Sequence, residues 1–212
     1  MKSLAFFGGT FDPIHNGHLK ASIAIQKYFQ FDHYYFLPCN KQVLKGSATA
    51  SNTQRITMLQ LALKGVSSFE IDRREILSDN PSYTVKTLSS IRNENHKASI
   101  TLIMGFDAFV SLPQWYEWEK LIELANILVM ERPKFSHLEY SKAIQALLQE
   151  HQTHSKDELI NSSAGHIFLF NAGHYDFSST DIKHSIQKNK SVEDKLPTAV
   201  YRYINENKIY TD

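Results

Sequence analysis

The sequence predicts an α/β domain built on a doubly wound, mostly parallel sheet. Three observations lead there. Apolar strand-like runs alternate with helix-period stretches along the chain, and glycines close the first strand directly before the first helix. Hydrophobic residues make up 42% and charged residues 21% of 212 residues, an ordinary balance for a packed chain. Strand–helix alternation is the mark of a parallel sheet covered by helices on both faces. A chain of this length supports one substantial core, so a single domain over 1–212 is expected.

The elements follow in order. Leu4–Phe7 is a short apolar run ending in Gly8-Gly9 and reads as a buried first strand. Gly17–Phe29 has helical spacing through Leu19, Ile23, Ile25 and Phe29. His33–Leu37 is aromatic and strand-like, closed by Pro38. Lys41–Asn52 is polar and irregular, and Thr53–Leu63 returns to helix. A strand at Phe69–Asp72 and a helix at Tyr83–Asn95 follow, the second after Pro81. Ile100–Met104 and Ile127–Met130 are the clearest buried strands, apolar runs bounded by polar residues. A helix at Ser141–Glu150, a polar surface loop at His151–Gly165 and a strand at His166–Phe170 come next. Helices near Ser179–Lys188 and Thr198–Asn205 complete the chain.

Composition excludes several function classes. A net charge of +1 and a pI near 7.9 provide no basic face, so no nucleic-acid partner is expected. Cys39 is the only cysteine, which rules out an intrachain disulfide and a cysteine-based zinc framework. The apolar start Met1–Phe7 is cut short by Gly8-Gly9, too early for a signal-peptide core. No run approaches the ~18 apolar residues of a membrane span. No membrane partner is expected, and the expected location is the cytoplasm.

The most informative segment is Gly8-Gly9-Thr10-Phe11-Asp12-Pro13-Ile14-His15-Asn16-Gly17-His18-Leu19. Paired glycines after a strand let the backbone turn sharply and approach a ligand without Cβ obstruction. The helix that follows offers free N–H groups at its positive end, where anions are favoured. His15 and His18, three residues apart, share one face of that helix start and point toward whatever the glycines admit. A phosphate chain there meets backbone donors first and imidazoles second. A metal site would need a third ligand, and none stands nearby in sequence, so no protein metal site is expected. The Walker pattern and the dinucleotide Gly-x-Gly-x-x-Gly are both missing, so phosphate binding must use another arrangement.

Gly8–Leu19 resembles the Gly-Gly-Thr-Phe-Asp-Pro-x-His-x-Gly-His-Leu signature of the nucleotidylyltransferases. Nearly the whole chain is similar to the bacterial nicotinate-nucleotide adenylyltransferases. Matching segments are Gln54-Arg55, Asp72-x-x-Glu75, Pro81-Ser82-Tyr83-Thr84, Gly105-x-Asp107, Trp115-Tyr116-Glu117, Arg132-Pro133 and Ser178-Ser179-Thr180-x-Ile182. The resemblance implies a Rossmann-like nucleotidyltransferase fold and adenylyl transfer from ATP to nicotinate mononucleotide. It implies His15 and His18 as the residues that stabilise the reacting phosphates, His18 foremost. Gly8, Gly9, Thr10 and Phe11 are expected to supply backbone contacts to ATP. Mg²⁺ is expected to arrive bound chiefly through the triphosphate.

A second phosphate site is implied at Ser179, Thr180 and Lys183. Without the resemblance, Ser178 with Asp181 reads as an ordinary helix cap. For the acceptor, Trp115 is the expected stacking partner of the pyridine ring. Thr84, Tyr116, Lys45 and Arg132 are expected around it. Asp107, after Gly105, is placed to accept a ribose hydroxyl. Two positions depart from the family pattern. Lys183 stands where arginine is usual, keeping the charge without the bidentate fork. Gln42-Val43-Leu44-Lys45 stands where the family has Pro-Pro-His-Lys/Arg, so Leu44 replaces a histidine, and Lys41 is the nearest other cation. Two alternatives remain at this stage. One is an adenylyltransferase for nicotinamide mononucleotide or phosphopantetheine, although phosphopantetheine enzymes usually carry threonine where His15 stands. The other is a nucleotide-binding regulator without efficient turnover.

Overall fold

The computed structural model describes residues 1–40, 48–131, 140–173 and 177–211. Its strands are β1 (Ser3–Gly9), β2 (His33–Pro38), β3 (Glu70–Ile71), β4 (Ser99–Gly105), β5 (Asn126–Met130) and β6 (Ile167–Phe170). All pair in parallel, in the order β3-β2-β1-β4-β5-β6. The helices are α1 (Asn16–Phe29), α2 (Asn52–Leu63), α3 (Thr84–Glu94), α4 (Phe106–Val110), α5 (Leu121–Leu124), α6 (Lys142–His151), α7 (Lys156–Asn161), α8 (Ser179–Gln187) and α9 (Thr198–Glu206).

Strand side chains alternate between the two faces of the sheet, and each face has its own core. Ala5, Phe7, Ile103, Leu128 and Phe168 face one side, covered by Ile25 and Phe29 of α1, Met58 and Leu59 of α2, and Val200 and Ile204 of α9. Leu4, Phe6, Leu102, Ile127, Val129 and Ile167 face the other, covered by Leu88 and Ile91 of α3, Leu121 of α5 and Ile144 of α6. Burial on both faces explains why the central strands read as continuous apolar runs. Local signals set the helix starts. Ser51 and Gln54 form a reciprocal capping box on α2, while Ser141 and Ser155 cap α6 and α7.

The expected doubly wound sheet is present, and each expected strand and helix has a counterpart. One expectation is overturned. His151–Gly165 is not a surface loop, because Gln152 pairs with Ile167 and α7 lies within it. Leu159 is fully buried, and its carbonyl accepts hydrogen bonds from Ser99 Oγ (3.0 Å) and Asn126 Nδ2 (2.9 Å). Burying that one leucine is worth about 1.5–3 kcal/mol, enough to pin a polar segment whose composition alone reads as loop. The short helices α4 and α5 escaped the periodicity argument because neither spans two turns. Among the described residues, no helix is long and apolar enough to cross a membrane.

Candidate active site

The chain builds the sheet outward from β1 to β3, then returns to lay β4 on the other side of β1. That reversal opens a crevice at the carboxyl ends of β1 and β4, the place where ligands bind in such sheets. Both strands end there in glycine, Gly9 and Gly105. The turn after β1 folds tightly back. Phe11 adopts a left-handed φ of 49°, and a Cβ on Gly9 would sit 2.9 Å from the Phe11 ring. The Phe11 ring itself belongs to the core, against Phe7 and Phe36, so only its backbone faces the crevice. At Gly105 a Cβ would meet nothing within 4 Å, which leaves the end of β4 open.

His15 and His18 form a reciprocal cap at the start of α1. His15 Nδ1 accepts from the His18 N–H, and His18 Nδ1 accepts from the His15 N–H, each at 3.3 Å. The rings stack at 3.6 Å, with Phe177 edge-on to His15 at 5.3 Å and Phe11 edge-on to His18 at 5.2 Å. An Nδ1 that accepts carries no proton, so each neutral ring has its proton on Nε2. The cap thus fixes ring orientation and tautomer together. His15, His18 and Ala21 line one wall of a narrow cleft that Met130, Gly173 and Phe177 close on the other side. A larger, open depression runs along α3 past Lys86, Ser89 and Glu117. It contains no strand end and neither histidine, so the cleft beside the histidines is the candidate phosphate site.

Asp12 ties the turn to the rest of the fold. Its buried carboxylate accepts from the Thr49 N–H (2.8 Å), the Ala50 N–H (3.0 Å), Lys183 Nζ (2.9 Å) and the Tyr210 hydroxyl (2.7 Å). Burial alone would raise the Asp12 pKa, but Lys183, Tyr210 and the two N–H groups together hold it below the usual carboxylate value. Burial and the Asp12 charge push the Tyr210 phenol upward. Ser179 Oγ donates to the Pro13 carbonyl (2.9 Å), so α8 docks on the same turn. A depressed carboxylate stabilises the fold above its unfolded pKa, near 3.8, and loses that contribution as pH falls through the lower folded value. Asp12→Asn is therefore expected to cost about 3 kcal/mol at pH 7. Urea midpoints measured from pH 7 to pH 3 should show the gap to wild type closing below about pH 4. A gap that stays constant with pH would refute the assignment.

Other residues singled out by the sequence lie at the starts of α3 and α4 and in the segment after α4. Thr84 opens α3, and Trp115 follows a short 3₁₀ turn, half-buried against the core that α3 covers. Tyr116 is 54% exposed, and its ring lies 5.0 Å from that of Tyr83. Asp107 is exposed in the first turn of α4.

Comparison with known proteins places this arrangement. The cytidylyltransferase-like family matches residues 6–185. A probable nicotinate-nucleotide adenylyltransferase of Legionella pneumophila (strain Lens) is 50% identical over 210 residues, covering 99% of this chain and 100% of that one. The chain belongs to the nicotinate-nucleotide adenylyltransferase family. A relative from Pectobacterium atrosepticum with the same description is 37% identical, covering 97% of each chain. A nicotinic acid mononucleotide adenylyltransferase of Plasmodium falciparum, solved with NaAD, shares the fold with a TM-score of 0.73. Its identity is 17%, and the match covers 99% of this chain and 98% of that one.

Membership in the adenylyltransferase family matches the resemblance carried by the glycine–histidine signature. The structure gathers Gly8, Gly9, Thr10, Phe11, His15, His18, Ser179 and Lys183 around one turn, and Gly105 closes the neighbouring strand. The helix cap is Ser178, paired with Asp181, whereas the Ser179 hydroxyl is spent on Pro13. Lys183 is held by Asp12 and also donates to Thr49 Oγ1 (3.3 Å), so its charge is shared with a carboxylate. Thr180 is exposed beside it. Lys45 and Arg132, with Lys41 and Leu44, lie outside the described residues. Sequence reasoning missed the role of Arg55. A signal was present, because Arg55 sits on the same helical stripe as Met58, Leu59 and Ala62.

Proposed function

We infer that the chain joins ATP to nicotinate mononucleotide, giving nicotinate adenine dinucleotide and pyrophosphate in the biosynthesis of NAD, as one domain working in the cytoplasm. A phosphate oxygen of the mononucleotide attacks the α-phosphorus of ATP. The new P–O bond forms as the bond to the bridging oxygen of pyrophosphate breaks. The nucleophile is already an anion, so the protein needs neither a nucleophilic side chain nor a strong base. Its work is positioning and stabilisation of charge moving onto the pyrophosphate.

The observation that carries this reading is the His15–His18 cap at the mouth of the β1–β4 crevice. Each capped ring keeps Nε2–H as a hydrogen-bond donor, and His18 is the principal donor to the phosphates. Gly8, Gly9, Thr10 and Phe11 bring backbone close to the triphosphate, and Ser179, Thr180 and Lys183 flank it from α8. Gly105 admits the nucleotide at the end of β4, and Asp107 accepts a ribose hydroxyl. Trp115 stacks on the pyridine ring, with Thr84, Tyr116, Lys45 and Arg132 around the acceptor. Both Asp12 oxygens are already occupied by four donors, so the turn has no spare carboxylate for a metal cage. That donor set fits a Mg²⁺ ion carried by the triphosphate, where it neutralises phosphate charge.

The test is pyrophosphate release from ATP with a panel of acceptors. Release is expected only when Mg²⁺ and a phosphate-bearing acceptor are both present. ATP binding with no acceptor-dependent turnover would make the chain a nucleotide-binding regulator instead.

A further inference from the structure

Beneath the site, a chain of polar side chains joins the glycine turn to the Pro81–Thr84 segment. Arg55, on the inner face of α2, is fully buried. Its Nη1 donates to the Thr10 and Cys39 carbonyls, both at 2.7 Å. Its Nη2 donates to Asn52 Oδ1 (2.6 Å) and the Asn40 carbonyl (3.4 Å). Every acceptor it meets is a carbonyl oxygen, and its buried Nε meets none. Asn52 Nδ2 passes the link on to Asn40 Oδ1 and the Ile76 carbonyl, each at 2.9 Å. The Asn40 N–H then donates to Ser82 Oγ (3.0 Å), immediately before Tyr83 and Thr84. Glu75 ends the chain, its buried carboxyl hydrogen-bonded by Ser82 and accepting from Thr87 Oγ1 at 2.7 Å.

Stability alone gives little reason to keep a guanidinium here. Buried ionic groups replaced by apolar side chains of similar volume often leave a fold as stable or more so. Geometry gives a better reason. Thr10 belongs to the turn that meets ATP, and Ser82 borders the segment that meets the acceptor. In-line attack requires the reacting atoms to be brought within about 3–3.5 Å, and a misplacement of about 1 Å can cost on the order of 10²-fold in rate. Resting on the adenylyl-transfer reading, we propose that Arg55 is a positioning residue that holds the nucleotide and acceptor halves of the site in register, acting through Asn52 and Asn40. It touches neither substrate. It welds the ends of β1 and β2 and aims the two binding loops at each other.

The experiment measures kcat, both KM values and the thermal midpoint for wild type, Arg55→Lys, Arg55→Met and Asn52→Ala, with rates normalised to folded protein. Arg55→Lys keeps the charge but loses the fork, and its kcat is expected to fall about tenfold while the KM for ATP stays within about twofold. Asn52→Ala leaves the backbone-carbonyl contacts of Arg55 intact but removes its Asn52 Oδ1 acceptor and the links to Asn40 and Ile76. It is expected to lower kcat several-fold with a small change in thermal midpoint. A purely structural arginine would instead lower the midpoint and leave kcat per folded molecule unchanged. If Arg55→Lys and Asn52→Ala both turn over within about twofold of wild type, the proposal is overturned. Should the Arg55 variants fail to fold, Asn52→Ala decides it alone. A wild type without acceptor-dependent turnover would remove the functional reading and this proposal together, whereas an active wild type with silent variants removes only the latter.

Discussion

Replacing His18 with alanine is expected to lower kcat by about 10²–10³-fold while the KM for ATP changes far less, because removing one donor aimed at developing charge typically costs that much. On the proposed reading, the cap is what makes this donor effective. His18 Nδ1 accepts from the His15 N–H, and the ring lies between Phe7, Phe11 and His15, so its orientation is set before substrate arrives. A preorganised donor costs no reorganisation during the reaction. Half of the reciprocal cap is lost with the same substitution, for about 1 kcal/mol of stability. The variant should therefore fold and bind ATP, with a modestly lower thermal midpoint. Steady-state kinetics beside a direct ATP-binding measurement separates the roles. A kcat within a few-fold of wild type with a large loss of ATP affinity would make His18 a binding residue, and the catalytic assignment would fall.

What the sequence revealed and what it hid follow one physical divide. The glycine turn and the histidine pair were legible because every residue that makes them is contiguous, from Gly8 to Leu19. The central strands were legible because burial on both faces leaves an uninterrupted apolar run, as in Ile127–Met130. The Asp12 carboxylate was not, since its partners Lys183 and Tyr210 lie 171 and 198 residues away. No local pattern encodes such a contact. Helix α7 was hidden for a different reason: Leu159 is its single buried residue, too little to register as periodicity in a polar stretch. Arg55 stood in plain view as a charge on an apolar stripe, yet its meaning depends on carbonyls from two other segments. Contiguous chemistry is readable from sequence, and the scaffold that aims it is assembled at long range.

Nicotinate mononucleotide is expected to be preferred over nicotinamide mononucleotide by as much as about 10⁴ in kcat/KM, the largest effect anticipated for this chain. The two acceptors differ only in a carboxylate against an amide, so discrimination must come from groups that pair with one and oppose the other. On the proposed reading, helix α3 provides such groups. It begins at Thr84, and its N-cap residue Tyr83 gives no side-chain hydrogen bond, so the Thr84 and Val85 N–H groups take no cap from it, while the Lys86 N–H bonds the Tyr83 carbonyl. Donors at the positive end of a helix favour a carboxylate, whereas an amide turned the wrong way presents its own NH₂ to them. Thr84 stands at that helix start, and the Tyr83–Tyr116 ring contact brings the Trp115 segment alongside. Stacking on Trp115 cannot separate the two rings, because both offer similar faces. Trp115→Ala should accordingly weaken both acceptors by similar factors and leave their ratio intact. The measurement is kcat/KM for each mononucleotide at one ATP concentration, in wild type and in Trp115→Ala. A wild-type ratio near one, or one favouring the amide, would sink the nicotinate assignment while leaving adenylyl transfer standing. A ratio that collapses only in Trp115→Ala would move the source of specificity from the α3 N-terminus to the aromatic ring.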